Sequence, residues 1–331
     1  MGDGVSSDPG VPQARAPPRR ALEYMLESER SLSNPHVAAF VSDIALLDKF
    51  RHDPNFSHWA KKSNFRKEVT EAQGALGQII RCIPMDERIH GNVDSISPST
   101  SSPDHGEGLV FVDLCAGRGM LSIVLANRFP KSKVLMVDAD PKIKLPHLAS
   151  LPTVTHHLLD ILSDDMSELI HQAVKESKRA TIIVGIHLCG DLSRRTIDLF
   201  KTSNAHALIL SPCCLPRRRR HDVFGFHVVD QARKMKLNSH QLWCHALYGL
   251  LPSTDVKRFA VNMQIDDDVE GPFRTFLIAR KRVEKNEVCA PCDEVTNCSV
   301  AGAFGMLDLE GKRGVVAGTK ASHWRVVGPK V

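Results

Sequence analysis

The chain has 331 residues, a formal net charge of +5 and 42% apolar residues, enough for one large domain or two small ones with a real core. No run of roughly 18 apolar residues is present, which excludes a hydrophobic membrane-spanning helix, and no apolar segment near the start points to secretion. The modest positive charge permits a nucleic-acid partner without demanding one. The nine cysteines are odd in number and scattered through apolar runs, which suits a reducing compartment and not a disulfide framework. A cytoplasmic location is expected, with nuclear and organellar ones as the alternatives.

Residues 1–20 are rich in Gly, Pro and Ser and read as disordered. Met1 to Ser6 formally fits an N-myristoylation pattern, with no second anchor evident. Asn34-Pro35 reads as an N-cap with proline at the first helical position, followed by Val37, Phe40, Val41, Ile44 and Leu47 at helical spacing. Asn64 is a second cap candidate. Beyond it Phe65, Val69, Ala72, Leu76, Ile79 and Ile83 keep one apolar stripe, expected to pack on a sheet. Residues 21–90 are thus a helical extension, and residues 91–107, with Ser-Pro-Ser-Thr-Ser-Ser-Pro among them, a linker.

An apolar run from Leu109 to Val112 then ends in Asp113 and a turn of small residues, Cys115-Ala116-Gly117-Arg118-Gly119, before a helical pattern begins. Gly117 and Gly119 allow positive φ and close passage of backbone by a ligand. A dinucleotide turn needs a third glycine and seats a pyrophosphate at the helix N-terminus. Here Ser122 stands at that third position, and an acid precedes the turn. An acid beside the turn suits the ammonium of S-adenosylmethionine, which has no phosphate. An ordinary strand–turn–helix corner is the bland alternative, and a nicotinamide-dependent oxidoreductase the rival one.

Further apolar runs follow at the interval of a βαβ step. Lys133–Val137 ends in Asp138, Val154–Leu159 in Asp160, Thr181–Ile186 in His187, and Ala207–Leu210 in Ser211. Ligands of open α/β sheets bind beyond the carboxyl ends of the strands, so these residues are expected along one edge with Asp113. Asp138 lies about 20 residues past the glycine pair, where such folds place the acid that binds ribose hydroxyls. Phe224–Met235 reads as a helix, Ser239–Leu247 as a sixth strand and Phe273–Ala279 as a seventh, with Phe259–Ile265 an extra candidate. Asp266-Asp267-Asp268 reads as a solvated loop. The α/β core covers residues 108–282. Residues 283–331 read as a poorly structured basic tail. Its Cys289, Cys292 and Cys298 fall short of the four well-spaced ligands of structural zinc, and no metal is expected.

Four segments, Asp113–Gly119, Val137–Asp140, His187–Ser193 (His-Leu-Cys-Gly-Asp-Leu-Ser) and Ser211–Cys214 (Ser-Pro-Cys-Cys), resemble in this order the class I methyltransferases. More narrowly they resemble the branch of the acceptor-stem tRNA 2′-O-methyltransferases and of the methyltransferase domain of glutathione S-transferase C-terminal domain-containing proteins. Phe65-Arg66-Lys67-Glu68-Val69 resembles the Lys-rich helix that precedes the sheet in that branch. The resemblance covers residues 60–282. It implies an α/β, Rossmann-like seven-stranded sheet with helices on both faces, the last strand antiparallel, and S-adenosylmethionine as cofactor. It also implies that Asp113, Cys115, Ala116, Gly117 and Gly119 line the methionine end of the cofactor. Asp138 would hold the ribose, Asp160 and Ile161 the adenine, and His187 with Leu188-Cys189 would border the sulfonium. The tRNA enzymes carry Cys/His zinc motifs near the N-terminus, whereas Cys82 stands alone in the first hundred residues here. The cofactor therefore transfers better than the tRNA substrate.

Methyl transfer is an in-line displacement in which positioning supplies much of the catalysis. His187 is the candidate base if the acceptor must lose a proton, since histidine exchanges protons near neutrality. The alternative is a histidine that only shapes the pocket. Asp191 is expected to cap the helix through Leu192–Phe200. Cys213 and Cys214 are candidate nucleophiles, beside Arg217-Arg218-Arg219-Arg220, or metal ligands, with small apolar packing the commoner role for buried cysteines. The four arginines, with Arg194 and Arg195, point to RNA (tRNA among the options) or another anionic acceptor. A solvated charged loop or a nuclear targeting patch is the alternative for that run. A non-catalytic RNA-binding or assembly subunit on the same fold stays open as well.

Overall fold

The computed structural model describes residues 21–84, 105–215, 227–271 and 274–282. The expected disordered start, most of the linker, Arg217–Arg220 and the tail with Cys289, Cys292 and Cys298 lie outside them. The described residues fall in one unit spanning residues 1–283.

Five short helices come first: α1 (Ala21–Glu27), α2 (Glu29–Leu32), α3 (Pro35–Ser42), α4 (Ile44–His52) and α5 (Ser57–Ala60). Asn34 caps α3 as expected, its Oδ1 accepting from the N–H groups of His36 and Val37 at 2.9 and 3.1 Å. Phe40, Phe50, Phe56, Trp59 and Phe65 are fully or almost fully buried and meet largely edge to face at 5.1–6.4 Å, the arrangement that aromatic quadrupoles favour. The long helix α6 (Phe65–Cys82) follows. Asn64 occupies its cap position but makes no capping bond; its amide donates to Glu68 instead, at 2.9 Å.

The sheet comprises β1 (Leu109–Leu114), β2 (Lys133–Asp138), β3 (Val154–Leu158), β4 (Ala180–Leu188), β5 (Ala207–Pro212), β6 (Phe259–Ile265) and β7 (Thr275–Lys281). Its order is β3-β2-β1-β4-β5-β7-β6, with β1 to β5 parallel and β7 antiparallel to both its neighbours. This is an α/β, Rossmann-like arrangement. All six positions of β1 are buried, as a strand covered on both faces requires. One face packs α6 and α7 (Met120–Arg128) together with the N-terminal helices. The other packs α8 (Asp165–Glu176), α9 (Asp191–Thr202), α10 (Val228–Met235) and α11 (Ser239–Leu250). The strand order reverses between β1 and β4, the switch point at which open α/β sheets place their ligands.

Three readings of the sequence are corrected here. Ser239–Leu247 is not a strand but part of α11: Asn238 Oδ1 caps it by accepting from His240 and Gln241, and Leu242, Trp243 and Leu247 share its buried side. The sixth strand is Phe259–Ile265, pairing along its whole length with β7. Gly190, not Asp191, takes the cap position of α9; Asp191 is its first helical residue. The triple-aspartate loop is solvated at Asp267 and Asp268, as expected, and anchored at its first residue. Asp266 pairs with His36 at 3.0 Å, and the Asp268 carbonyl accepts from Asn34 at 2.7 Å, so the loop clasps α3. No helix among the described residues is long and apolar enough to cross a membrane.

Candidate functional site

A cavity of about 390 Å³ opens between α6, the glycine turn after β1 and the end of β4, within the size range of small-molecule sites. Six residues singled out in the sequence line it: Asp113, Cys115, Ala116, Gly117, Gly119 and His187.

The turn is built from unusual backbone. Cys115, Gly117 and Gly119 have φ of 52°, 56° and 78°. The Ala116 N–H donates to the Val137 carbonyl at 3.0 Å, and the Gly119 N–H to the Ala116 carbonyl at 2.8 Å. Asp138 reaches across from the end of β2, its Oδ2 accepting from the Gly117 N–H at 2.8 Å and its Oδ1 from the Asp140 N–H at 2.9 Å. Asp138 thus braces the turn from beside the cavity. Asp160 lies near enough for its charge to act on Cys115: burial first, then the carboxylates of Asp138, Asp113 and Asp160, push that thiol up to about 12. Asp138 and Asp160 therefore make a negative field around the turn, which Asp113 joins when ionised, and this fits a cationic group there. Ile161 is buried in the second core, its carbonyl held by Arg195 at 3.2 Å.

Asp113 is buried and accepts from the Ser122 hydroxyl of α7 at 2.7 Å. Burial raises its carboxyl to about 7, partly opposed by Ser122. The protonated acid is therefore favoured by the fold. Its contribution to stability is fully present below the unfolded carboxylate range and is lost as pH rises through about 7. Between about pH 5 and about pH 8 the folded protein is expected to lose about 2–3 kcal/mol from this group. Urea unfolding of the parent and of Asp113→Asn checks this: the variant should lack that portion of the slope.

His187 is delivered by a bulge. β4 and β5 pair Ile186 with Ser211 and Leu188 with Pro212, and the register shifts between them, leaving His187 out of the ladder at φ 65°. Bulges re-aim side chains and terminate pairing beside functional sites. Here the ring turns to α6, where Nε2 meets Glu71 Oε2 at 2.6 Å. Glu71 is 3% exposed and also takes Lys67 Nζ on Oε1 at 3.1 Å. Lys62 pairs with Glu68 at the same mouth, and Arg118 is exposed on its rim. Lys62, Asn64, Lys67, Glu68 and Glu71 line the cavity but were not singled out as site residues. Lys67 and Glu68 fall in the segment that resembles the Lys-rich helix before the sheet, while Glu71 carries no signal of its own in the sequence.

Cys213 and Cys214 do not line the cavity. They gather with Cys189 behind His187, where Cys213 Sγ donates to the His187 carbonyl at 3.1 Å. Burial and the neighbouring sulfurs raise the Cys213 thiol, the reverse of what a resting thiolate nucleophile needs.

Residues 87–218 match a protein-family model described as a methyltransferase domain, a stretch that takes in the glycine turn, the bulge and both cysteines. No curated protein matches the chain. Among solved structures, the antibiotic-resistance methyltransferase Kmr is 14% identical, with a TM-score of 0.36, over 54% of this chain and 89% of that one. Human N-acetylserotonin methyltransferase in complex with S-adenosylmethionine is 12% identical, with a TM-score of 0.36, over 80% and 67%. Aeropyrum pernix fibrillarin with natively bound S-adenosyl-L-methionine is 9% identical, with a TM-score of 0.33, over 53% and 68%.

Proposed function

We propose that this chain is a methyltransferase with S-adenosylmethionine as cofactor, and that it methylates RNA or another anionic acceptor. The observation that carries the reading is the single cavity shared by the acid-ringed glycine turn and the Glu71–His187 pair. Asp113, with its carboxyl raised to about 7, gives up its proton to face an ammonium. Asp138 holds the vicinal ribose hydroxyls while it braces Gly117. The open space at Gly117, where an added Cβ would meet nothing within 4 Å, is room for the methionine end. The cofactor supplies an electrophilic methyl group on sulfonium when bound.

The protein's own residues then position and deprotonate the acceptor. Glu71 Oε2 lies 2.6 Å from His187 Nε2, and a proton kept on Nε2 by that carboxylate leaves the lone pair on Nδ1. His187 in that tautomer takes the acceptor's proton as the methyl group arrives. Arg118, exposed at the mouth, favours an acceptor that carries phosphate, and the four arginines Arg217–Arg220 supply further positive charge suited to such an acceptor.

The test is calorimetric titration with S-adenosylhomocysteine, with NADH alongside, followed by transfer of labelled methyl groups to total RNA. Saturable binding of the former alone is expected; binding of NADH alone would sink the reading. Binding without transfer to RNA would move the acceptor to another class. Asp138→Ala should weaken S-adenosylhomocysteine binding by about 1.5–3 kcal/mol, the worth of a charged hydrogen bond. Unchanged affinity in that variant would remove the ribose assignment.

A further inference from the structure

β4 and β5 end side by side and bring three cysteines to one place. The Sγ atoms of Cys189 and Cys213 are 3.0 Å apart, those of Cys213 and Cys214 are 3.4 Å apart, and all three lie within 4.8 Å of one another. Backbone ties hold the loops that carry them. The Gly190 N–H donates to the Cys214 carbonyl at 3.0 Å, and the Cys213 N–H to the Leu188 carbonyl at 3.3 Å. Cys213 is buried, while Cys189 and Cys214 are exposed.

We propose that Cys189, Cys213 and Cys214 form a binding site for a thiophilic divalent cation of the zinc class. Tetrahedral zinc with Zn–S bonds of about 2.3 Å sets its sulfurs about 3.8 Å apart. The observed separations, 3.0 and 3.4 Å with the third within 4.8 Å, lie around that spacing. A disulfide would use two of the three thiols and leave the third without a role; a metal uses all three. A bound divalent cation holds its coordinating thiols deprotonated. Three S–H bonds break, three metal–sulfur bonds form, and three protons pass to solvent. Soft thiolates select zinc-class ions over magnesium or calcium.

Three protein ligands leave a fourth position, which water fills in sites of this kind; the exposed Cys189 and Cys214 put solvent at hand for it. The ion also has a mechanical consequence. Cys213 Sγ and Cys189 Sγ lie 3.1 and 3.6 Å from the His187 carbonyl, so a metal on them stiffens the bulge that aims His187. This inference stands apart from the cofactor assignment, because its readout is metal binding.

The full-length reduced protein is titrated with Co²⁺ and followed by absorption, then back-titrated with Zn²⁺. A sulfur-to-cobalt charge-transfer band with strong tetrahedral d–d bands, saturating at one ion per chain and bleached by Zn²⁺, is expected. Cys189→Ser and Cys214→Ser, both at exposed positions, should each lower Co²⁺ affinity by at least the roughly 10–100-fold that loss of even an outer-shell partner costs. Circular dichroism checks that both variants fold. Absence of the charge-transfer band in the reduced parent would overturn the site. So would a band that survives both substitutions, which would move the ion to Cys289, Cys292 and Cys298. A Cys189–Cys213 cross-link that forms in air, with no metal bound by the reduced form, would make the cluster a redox pair instead.

Discussion

His187→Asn is expected to slow methyl transfer by about 100- to 10,000-fold at saturating cofactor, the range that a positioned general base supplies. Asparagine is the informative replacement because position 187 has φ 65°, and asparagine tolerates the left-handed region better than other non-glycine residues. The bulge is therefore kept while the base is lost, and affinity for S-adenosylhomocysteine should change little. Glu71→Gln tests the partner. Glu71 acts through His187, as a positioning residue, and its removal should lower kcat with small effect on KM for the cofactor. The glutamine amide can hydrogen-bond Nε2 from either end, so the tautomer is no longer enforced and the acidic limb of the pH–rate profile, where a general base takes up its proton and stops acting, should shift. A merely structural role would lower the unfolding midpoint and leave that profile in place. An unchanged kcat in His187→Asn would reduce the histidine to shaping the pocket and leave catalysis to positioning alone.

The parts of this site that were legible in sequence are those written locally. An acid, a turn of small residues and a helix stand within a dozen positions of one another, and the strand ends recur at the βαβ interval, so Asp113, Gly117, Gly119 and Asp138 could be placed before any fold was seen. The Glu71–His187 contact has no such signature. Its two halves come from elements far apart in sequence, and α6 is buried on most of its circumference, with Thr70, Glu71 and Gln78 inside as well as the apolar stripe. A buried glutamate there looks like any surface residue at the edge of an amphipathic pattern. The bulge at His187 depends on the register between β4 and β5, which hydrophobic alternation does not encode. The same register makes the cysteine triangle, where the sequence shows one cysteine and a separate pair. The α11 misreading has the opposite cause. Leu242-Trp243-Cys244 is a contiguous apolar run, ambiguous between a strand and a buried helix, and the deciding residue was the Asn238 cap in front of it.

The two glycines of the turn should respond differently to the same methyl group. Gly119 opens α7 at φ 78°, and a Cβ built there would come within 2.7 Å of Met136 Sδ and 3.0 Å of its Cε. Met136 is fully buried in β2, so it has little room to give way. Gly119→Ala is therefore expected to cost about 2–5 kcal/mol, combining left-handed strain of about 1–2 with overpacking of about 1–3. Gly117 has φ 56°, but its added Cβ would meet nothing within 4 Å. Gly117→Ala should cost the strain alone, about 1–2 kcal/mol, and place its methyl group in the cavity where the ligand passes. Urea midpoints should thus fall further for Gly119→Ala. S-adenosylhomocysteine affinity, measured where both variants are folded, should fall further for Gly117→Ala. Equal losses of stability would mean that Met136 repacks freely. Full affinity in Gly117→Ala would mean that the ligand does not run along this turn, and the cavity would have to be reassigned from α6 outward.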